Sequence, residues 1–149
     1  MMATATLKRS WAYDLSTATL YDLLKLRVEV FVVEQKCAYP ELDGLDLLHE
    51  TRHFWLEEDG EVICTLRLTE EYSNGRKSFR IGRLCTAPNA RGRGHTTRLL
   101  QAALAEVGLA PCKINAQTYL VDMYAKHGFK IDGAEYLEDG IPHVPMRKR

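Results

Sequence analysis

Apolar residues recur along this chain at two alternating periods, and the switches between them mark its elements. Lys8 to Tyr13 predicts a first strand. From Thr17 to Phe31 the apolar positions are Leu20, Leu23, Leu24, Val28 and Phe31, the spacing of a helix. Ser16 and Thr19 are both suitable caps for its start, and the sequence does not choose between them. Residues 32–52 then lose periodicity, with Pro40 and Asp43-Gly44 as breakers. An unpatterned segment of that length, carrying acids and Tyr39, points to function more than to simple connection.

Strands follow at His53 to Glu57 and Val62 to Leu68, joined across Asp59-Gly60, a strong hairpin signal. A second turn at Asn74-Gly75 leads into a strand from Ser78 to Thr86. Within it Phe79 and Ile81 are apolar at odd positions and Leu84 at an even one, with Gly82 between them. Either a β-bulge shifts the parity there, leaving backbone free for a ligand, or the strand is buried on both faces. A helix from Thr96 to Val107 puts Leu99, Leu100, Ala103, Leu104 and Val107 on one face and ends at Gly108. Lys113 to Gln117 reads as a strand, followed by a short helix to His127 that Gly128 stops. Phe129 to Met146 reads as a terminal hairpin or loop around Asp139-Gly140-Ile141-Pro142-His143. This order suits one mixed α/β sheet.

At 149 residues the chain is expected to be a single domain, residues 1–149, with one core. Lysine and arginine together equal aspartate and glutamate, so no basic excess supplies affinity for nucleic acid. No apolar run is long enough to span a bilayer and no charged-then-apolar leader precedes the domain, so neither a membrane nor a secretory route is expected. Cys37, Cys64, Cys85 and Cys112 are scattered without metal-ligand spacing, which predicts no metal and reduced, partly buried thiols in a cytoplasmic protein.

The most informative stretch is Leu84-Cys85-Thr86-Ala87-Pro88-Asn89-Ala90-Arg91-Gly92-Arg93-Gly94-His95-Thr96-Thr97-Arg98-Leu99-Leu100. A strand stops at a proline, an arginine-glycine pair repeats, and a helix begins. Glycines before a helix let the backbone approach a bulky anion, and the first helical amides present unpaired donors and partial positive charge. Arg91, Arg93 and Arg98 add formal charge, so the turn reads as a pyrophosphate seat. A phosphate-loop NTPase needs Gly-Lys-Ser/Thr where Gly94-His95-Thr96 stands, and the dinucleotide fingerprint needs a third glycine. The plain alternative is a basic turn that only caps a helix.

Arg-x-x-Gly opening a helix after a strand and a proline resembles motif A of the GNAT acyltransferase superfamily. Tyr124-Ala-Lys-His-Gly128-Phe129 resembles that superfamily's second signature, in the right order and at a fitting separation. The run Arg27-Val28-Glu29-Val30-Phe31-Val32-Val33-Glu34-Gln35 and the later Glu138-Asp139-Gly140-Ile141-Pro142-His143 look like the ElaA-like branch. The resemblance covers residues 11–147. It implies a GNAT fold: a mixed, mostly antiparallel sheet of six to seven strands, splayed at the cofactor site, with about four helices. It implies acetyl-coenzyme A as cosubstrate. Leu84, Cys85 and Thr86 would bond its pantetheine arm, and Arg91, Gly92, Arg93, Gly94, His95 and Thr96 would cradle its pyrophosphate. Gln117, seven residues before Tyr124, stands where many relatives have an asparagine that contacts the cofactor, and Tyr124 would be the general acid. Thr96 departs from the usual Gly or Ala of motif A. Family habit also implies a homodimer.

The activity this implies is transfer of an acyl group, foremost acetyl, from coenzyme A to an amine of a small molecule or peptide by direct attack. A base must take the amine proton and an acid must protonate the thiolate. Cys85 is a nucleophile only if something activates it, and is otherwise a small strand residue; Tyr124 is the acid or a core aromatic. Many relatives carry a glutamate on the strand before the glycine loop, but Ser78 to Thr86 contains none. His53, Glu70, His143 and Glu34 are the candidate bases. Glu41, Asp43, Asp46 and Glu50 either attract a cationic acceptor or form a solvated face. The missing strand glutamate leaves a rival reading, a non-catalytic acyl-coenzyme A binding or sensing module, and a nucleotide-phosphate binder is the third.

Overall fold

The computed structural model describes residues 5–149. Eight strands form one sheet: β1 (Thr6–Trp11), β2 (Arg52–Glu58), β3 (Glu61–Ser73), β4 (Arg76–Thr86), β5 (Cys112–Gln117), β6 (Lys130–Ile131), β7 (Tyr136–Glu138) and β8 (Ile141–Lys148). Their order is β1-β2-β3-β4-β5-β8-β6, with β7 paired to the start of β8. Every pairing is antiparallel except β4 with β5. The count exceeds the expected six to seven because β6 and β7 are only two and three residues long. Turns at Asp59-Gly60, Asn74-Gly75 and Asp139-Gly140 have positive φ at both residues, the twist that joins neighbouring antiparallel strands. β3 and β4 therefore run up to the Asn74-Gly75 turn, longer than hydrophobic alternation alone suggested.

One face of the sheet carries the main core. Leu56, Leu66, Leu68, Phe79, Ile81, Ile114, Val144 and Met146 pack there against Leu99, Leu100, Ala103 and Val107 of α2 (His95–Val107). The short α3 (Val121–Ala125) joins the same core through Tyr124. The opposite face is covered at β2–β4 by α1 (Thr17–Arg27) and the segment after it. Ser16 is the cap of α1: its hydroxyl accepts from the Thr19 amide at 3.0 Å. The helix does not stop near Phe31. It continues as a π-helical stretch over Val28–Glu34, extended by Gln35 N–H to Val30 C=O at 3.2 Å and Cys37 N–H to Val32 C=O at 3.0 Å. The widening falls on a valine-rich run, whose β-branched side chains crowd the preceding turn of an α-helix.

The parity switch in β4 is a bulge. Thr65 pairs with Cys85 and Arg67 with Gly82, so two steps on β3 face three on β4. Arg83 absorbs the extra residue at φ +53°, a conformation strained for a side chain with a Cβ. The strand is thus not simply buried on both faces, and the left-handed residue is the one after the glycine.

Arg83 is held in place by the segment that lacked periodicity. Its Nη2 donates to the Glu41 carbonyl at 3.1 Å and to Asp43 Oδ2 at 3.3 Å, and its Nε lies 2.8 Å from Glu41 Oε2 as an ion pair. Arg27, at the end of α1 and 1% exposed, donates to Glu41 at 2.7 Å and Asp46 at 2.5 Å. Arg67 on β3 forks onto Asp43 with two 2.8 Å bonds and reaches Asp46 at 3.1 Å. The Tyr39 hydroxyl donates to Glu41, and His53 Nε2 donates to the Asp46 carbonyl at 3.0 Å. Three guanidinium groups thus meet three carboxylates. This corrects the readings of the acidic segment for three of its four carboxylates: Glu41 and Asp46 are buried, and with the more exposed Asp43 they are committed to arginines of the sheet and α1, while Glu50 keeps an exposed side chain.

Removing one partner of such a cluster leaves buried charge uncompensated, so Arg27→Met is expected to lose roughly 3–5 kcal/mol in urea unfolding. A loss under about 1 kcal/mol would show that the segment is held some other way. Burial pushes the Asp43 and Asp46 carboxyls up, but hydrogen bonds from Arg67 to Asp43 and from Arg27 to Asp46 outweigh it, taking Asp43 to about 2 and Asp46 below its ordinary value. Stability from a depressed carboxyl is complete above its unfolded pKa of about 3.9 and is lost as pH falls through the folded value. Unfolding followed between pH 5 and 2 should therefore show stability declining below about pH 4, and less steeply in Asp43→Asn.

Candidate functional site

β4 and β5 are bonded only where Phe79, Arg80 and Ile81 face Cys112, Lys113 and Ile114. Beyond Ile81 the two strands part, so Gly82–Thr86 has no strand partner on the β5 side. A cavity of about 930 Å³ fills the gap. It extends from the turn before α2, along Gly82–Thr86, to the β7–β8 hairpin, with the π-helical stretch and Tyr39–Asp43 as one wall.

At one end lies the glycine turn. Gly92 and Gly94 have φ of +76° and +80°, and no side chain caps α2. The Arg98 amide donates to the Gly94 carbonyl at 3.1 Å, so the amides of His95, Thr96 and Thr97 before it have no intrahelical acceptor. Leu84, Cys85, Thr86, Arg91, Gly92, Gly94, His95, Thr96 and Gln117 all border the cavity; Arg93 does not. Arg91 donates to the Thr86 carbonyl at 3.1 Å and forks onto Glu34 at 2.7 and 2.5 Å. Arg93 turns away, its Nη2 sharing Glu58 at 2.8 Å to each oxygen and donating to His95 Nε2 at 2.9 Å. Burial, then the Arg93 charge, holds His95 below the usual imidazole value, consistent with its accepting that bond. Arg98 is likewise spent elsewhere, on the Ala5 carbonyl at 2.5 Å. The Thr96 hydroxyl lies 3.1 Å from that of Thr86, which is 3.2 Å from Cys64 Sγ, so the larger residue points back at the strand and leaves the turn open.

In the middle, Gln117 borders the cavity while exchanging amide bonds with Gln35 at 3.2 and 3.4 Å. Tyr124 is both things the sequence left open. Its ring meets Phe129 edge-on at 6.1 Å within the core, and the residue also lines the cavity. Burial, and secondarily Tyr119, pushes its phenol well above the ordinary value, so the proton stays on. Cys85 lines the cavity too, but burial raises its thiol strongly and Arg91 and Arg27 only weakly oppose this, so nothing makes it a nucleophile.

The four candidate bases separate cleanly. His53 is buried under the acidic segment, and Glu70 bonds Arg52 at 2.6 Å on the α2 side of the sheet; neither lines the cavity. Glu34 belongs to Arg91. His143 alone stands at the cavity's far end, on β8 opposite Gln117, with Nδ1 2.7 Å from the Ile141 carbonyl. Two neighbours had no role assigned from the sequence, although Glu138 opens the run that ends in His143. Tyr136 stacks on the His143 ring at 5.8 Å, and Glu138 Oε2 lies 3.4 Å from His143 Nε2. Folding the hairpin about Asp139-Gly140 pairs Tyr136 with His143, so the signal was present in the turn.

Among the described residues no helix is long and apolar enough to cross a membrane, and no group of His, Cys, Asp or Glu is placed to hold a metal ion.

The family described as acetyltransferase (GNAT) domain matches residues 21–149. A UPF0039 protein of Mycobacterium tuberculosis is 70% identical over 144 residues, covering 96% of this chain and 92% of that protein. ElaA of Escherichia coli is 33% identical over 139 residues, covering 91% of this chain and 90% of its own; its crystal structure superposes with a TM-score of 0.89 over 98% of this chain and all of that one. A Pseudomonas aeruginosa structure described as an acyl-CoA N-acyltransferase has the same TM-score at 39% identity, covering 98% of this chain and 100% of the other.

All four cysteines are free and buried. Burial pushes the Cys64 thiol up to about 11 and the Cys112 thiol up to about 12, with Cys85 higher still. Iodoacetamide at pH 8 should therefore leave Cys64, Cys85 and Cys112 unmodified in the native protein and label all of them in urea, as read by peptide mass spectrometry. Rapid native labelling of Cys85 would reinstate it as an activated thiol.

Proposed function

Since the chain belongs to the GNAT acetyltransferase family, we propose that it transfers an acetyl group from acetyl-coenzyme A to an amine on a small molecule or peptide. The observation that carries this reading is the parting of β4 from β5 beyond Ile81, because it joins unpaired strand backbone to the open amides of a helix start in one cavity.

In this reading the diphosphate sits on the His95, Thr96 and Thr97 amides, approached closely at Gly92 and Gly94. Arg91 turns from Glu34 to the phosphate. The pantetheine arm lies along Leu84, Cys85 and Thr86 and takes the hydrogen bonds a neighbouring strand would have taken, with Gln117 across the gap. The amine nitrogen attacks the thioester carbonyl carbon directly. A C–N bond forms, and the tetrahedral oxyanion is met by backbone N–H donors of the bulged strand. As the C–S bond breaks, the sulfur takes the phenolic proton of Tyr124, and the proton that the attacking nitrogen sheds after C–N bond formation is released to solvent, which restores the phenol. No covalent enzyme intermediate is involved, in keeping with the inert Cys85.

Calorimetric titration with acetyl-coenzyme A should give micromolar binding. Arg91→Ala/Arg93→Ala is expected to weaken it at least tenfold, with most of the loss from Arg91→Ala alone. Tyr124→Phe should keep donor binding and lose about 10²-fold in kcat, measured with a panel of spermidine, phenethylamine, a lysine peptide and free amino acids. No binding by the wild type would overturn the reading. Binding without turnover on any amine would favour an acyl-coenzyme A binding module, which the absence of a carboxylate on β4 also allows.

A further inference from the structure

We propose that His143 and Glu138 together form the site that takes the proton from the acceptor amine. The proposal rests on the acyl-transfer reading and assigns to that reaction the base it lacks.

Hydrogen-bond geometry sets the tautomer of the neutral ring. The Ile141 carbonyl has no proton to give, so the 2.7 Å contact with His143 Nδ1 is an N–H donated by the ring. In the neutral ring the lone pair is then on Nε2. Nε2 lies 3.4 Å from Glu138 Oε2, so two acceptors converge with no donor between them. An ammonium group supplies what that point lacks, because it can donate to both at once. One N–H bond of the ammonium then breaks and its proton passes to Nε2. The amine keeps the electron pair it needs for attack, and the resulting imidazolium sits between the Glu138 carboxylate and the Ile141 carbonyl.

The exit route follows from exposure. The His143 side chain is only 9% exposed and that of Glu138 is 52% exposed, so the proton moves from a sheltered ring to a carboxylate in contact with water. The hairpin that carries both groups is fixed at its tip, where the Cys37 thiol donates to the Asp139 carbonyl at 3.4 Å. The titratable and charged groups around the ring are Tyr136 and Glu138 from β7, Asp139 from the turn, Cys37 from the opposite wall, Tyr119 beyond β5 and Arg80 on β4, whose charge acts on Tyr136. Of these, Glu138 alone is in direct contact with Nε2. With Glu41, Asp43 and Asp46 tied to arginines, Glu138 and Asp139 are the cavity-lining carboxylates not engaged by an arginine, which suits an acceptor that arrives as a cation.

The test is the pH dependence of kcat/KM for the fastest amine of the panel, in wild type, His143→Gln and Glu138→Gln, with acetyl-coenzyme A affinity measured alongside. The wild-type rate should fall on the acid side as the ring takes up its proton. His143→Gln should lose about 10²-fold in kcat and, at constant donor affinity, the acid limb attributable to the enzyme. Glu138→Gln should lower kcat/KM for the cationic amine, chiefly through KM, with donor affinity unchanged. Wild-type turnover with both variants kinetically unchanged would overturn this assignment and leave acyl transfer standing. A wild type that binds acetyl-coenzyme A but acylates no amine would overturn the transfer reading and this assignment with it. If His143→Gln fails to fold, ¹⁵N NMR of the wild-type ring decides: a neutral ring protonated on Nδ1 supports the proposal, and one protonated on Nε2 overturns it.

Discussion

The buried meeting of Arg27, Arg67 and Arg83 with Glu41, Asp43 and Asp46 is the constraint on which the remaining geometry turns. Each guanidinium comes from a different element, and all the carboxylates come from one irregular segment. Bulk hydrophobic packing does not fix a loop of this kind, because its backbone polar groups must find specific partners. Here the partners are charged, and their geometry lets only one arrangement satisfy them. The same contacts hold Arg83 at a positive φ, and this is what lets β4 carry one residue more than β3. Were the same residues to run on as regular strand, with no bulge, the parity of Leu84, Cys85 and Thr86 would be reversed and Cys85 would face α2 instead of α1.

The cavity therefore has two halves made by different physics. One half is backbone: a parted strand and an uncapped helix, both lacking hydrogen-bond partners and neither dependent on side-chain identity beyond two glycines. The other is side chains, set by the β7–β8 hairpin and by the wall that the ion cluster holds. The arginines of the glycine turn are already paired: Arg91 holds Glu34 of the π-helical stretch and Arg93 holds Glu58 of β2.

Much of this is legible in the sequence alone. The Asx-Gly turns located the hairpins, the 3.6-residue stripe located α2, and the change of parity around Gly82 raised the bulge as one of two readings. Local rules sufficed there because neighbouring residues decide the outcome. The acidic segment was misread because its partners lie 14 to 42 residues away, and charge carries no period that could reveal them. The π-helical extension past Phe31 was hidden for a related reason, since a widened turn keeps the same apolar residues and only changes which carbonyl each amide reaches. Motif A marked the glycine turn before α2 but not the direction of each arginine, and Arg93 turned toward Glu58. Glu138 stands in a motif the sequence singles out, but its place beside His143 shows only when the chain folds across the turn.

The wall opposite the sheet is fastened by a few charged side chains and not by the main core. Leu42, Leu45, Leu47 and Leu48, which lie on that segment, are all exposed. Exchanging exposed residues of this kind changes stability by only about 0.5 kcal/mol either way. Single mutations can therefore change the outside of this segment, where Leu45 alone of the four also borders the cavity, while the ion cluster beneath stays as it is. A fold so arranged separates what must stay fixed from what is free to drift.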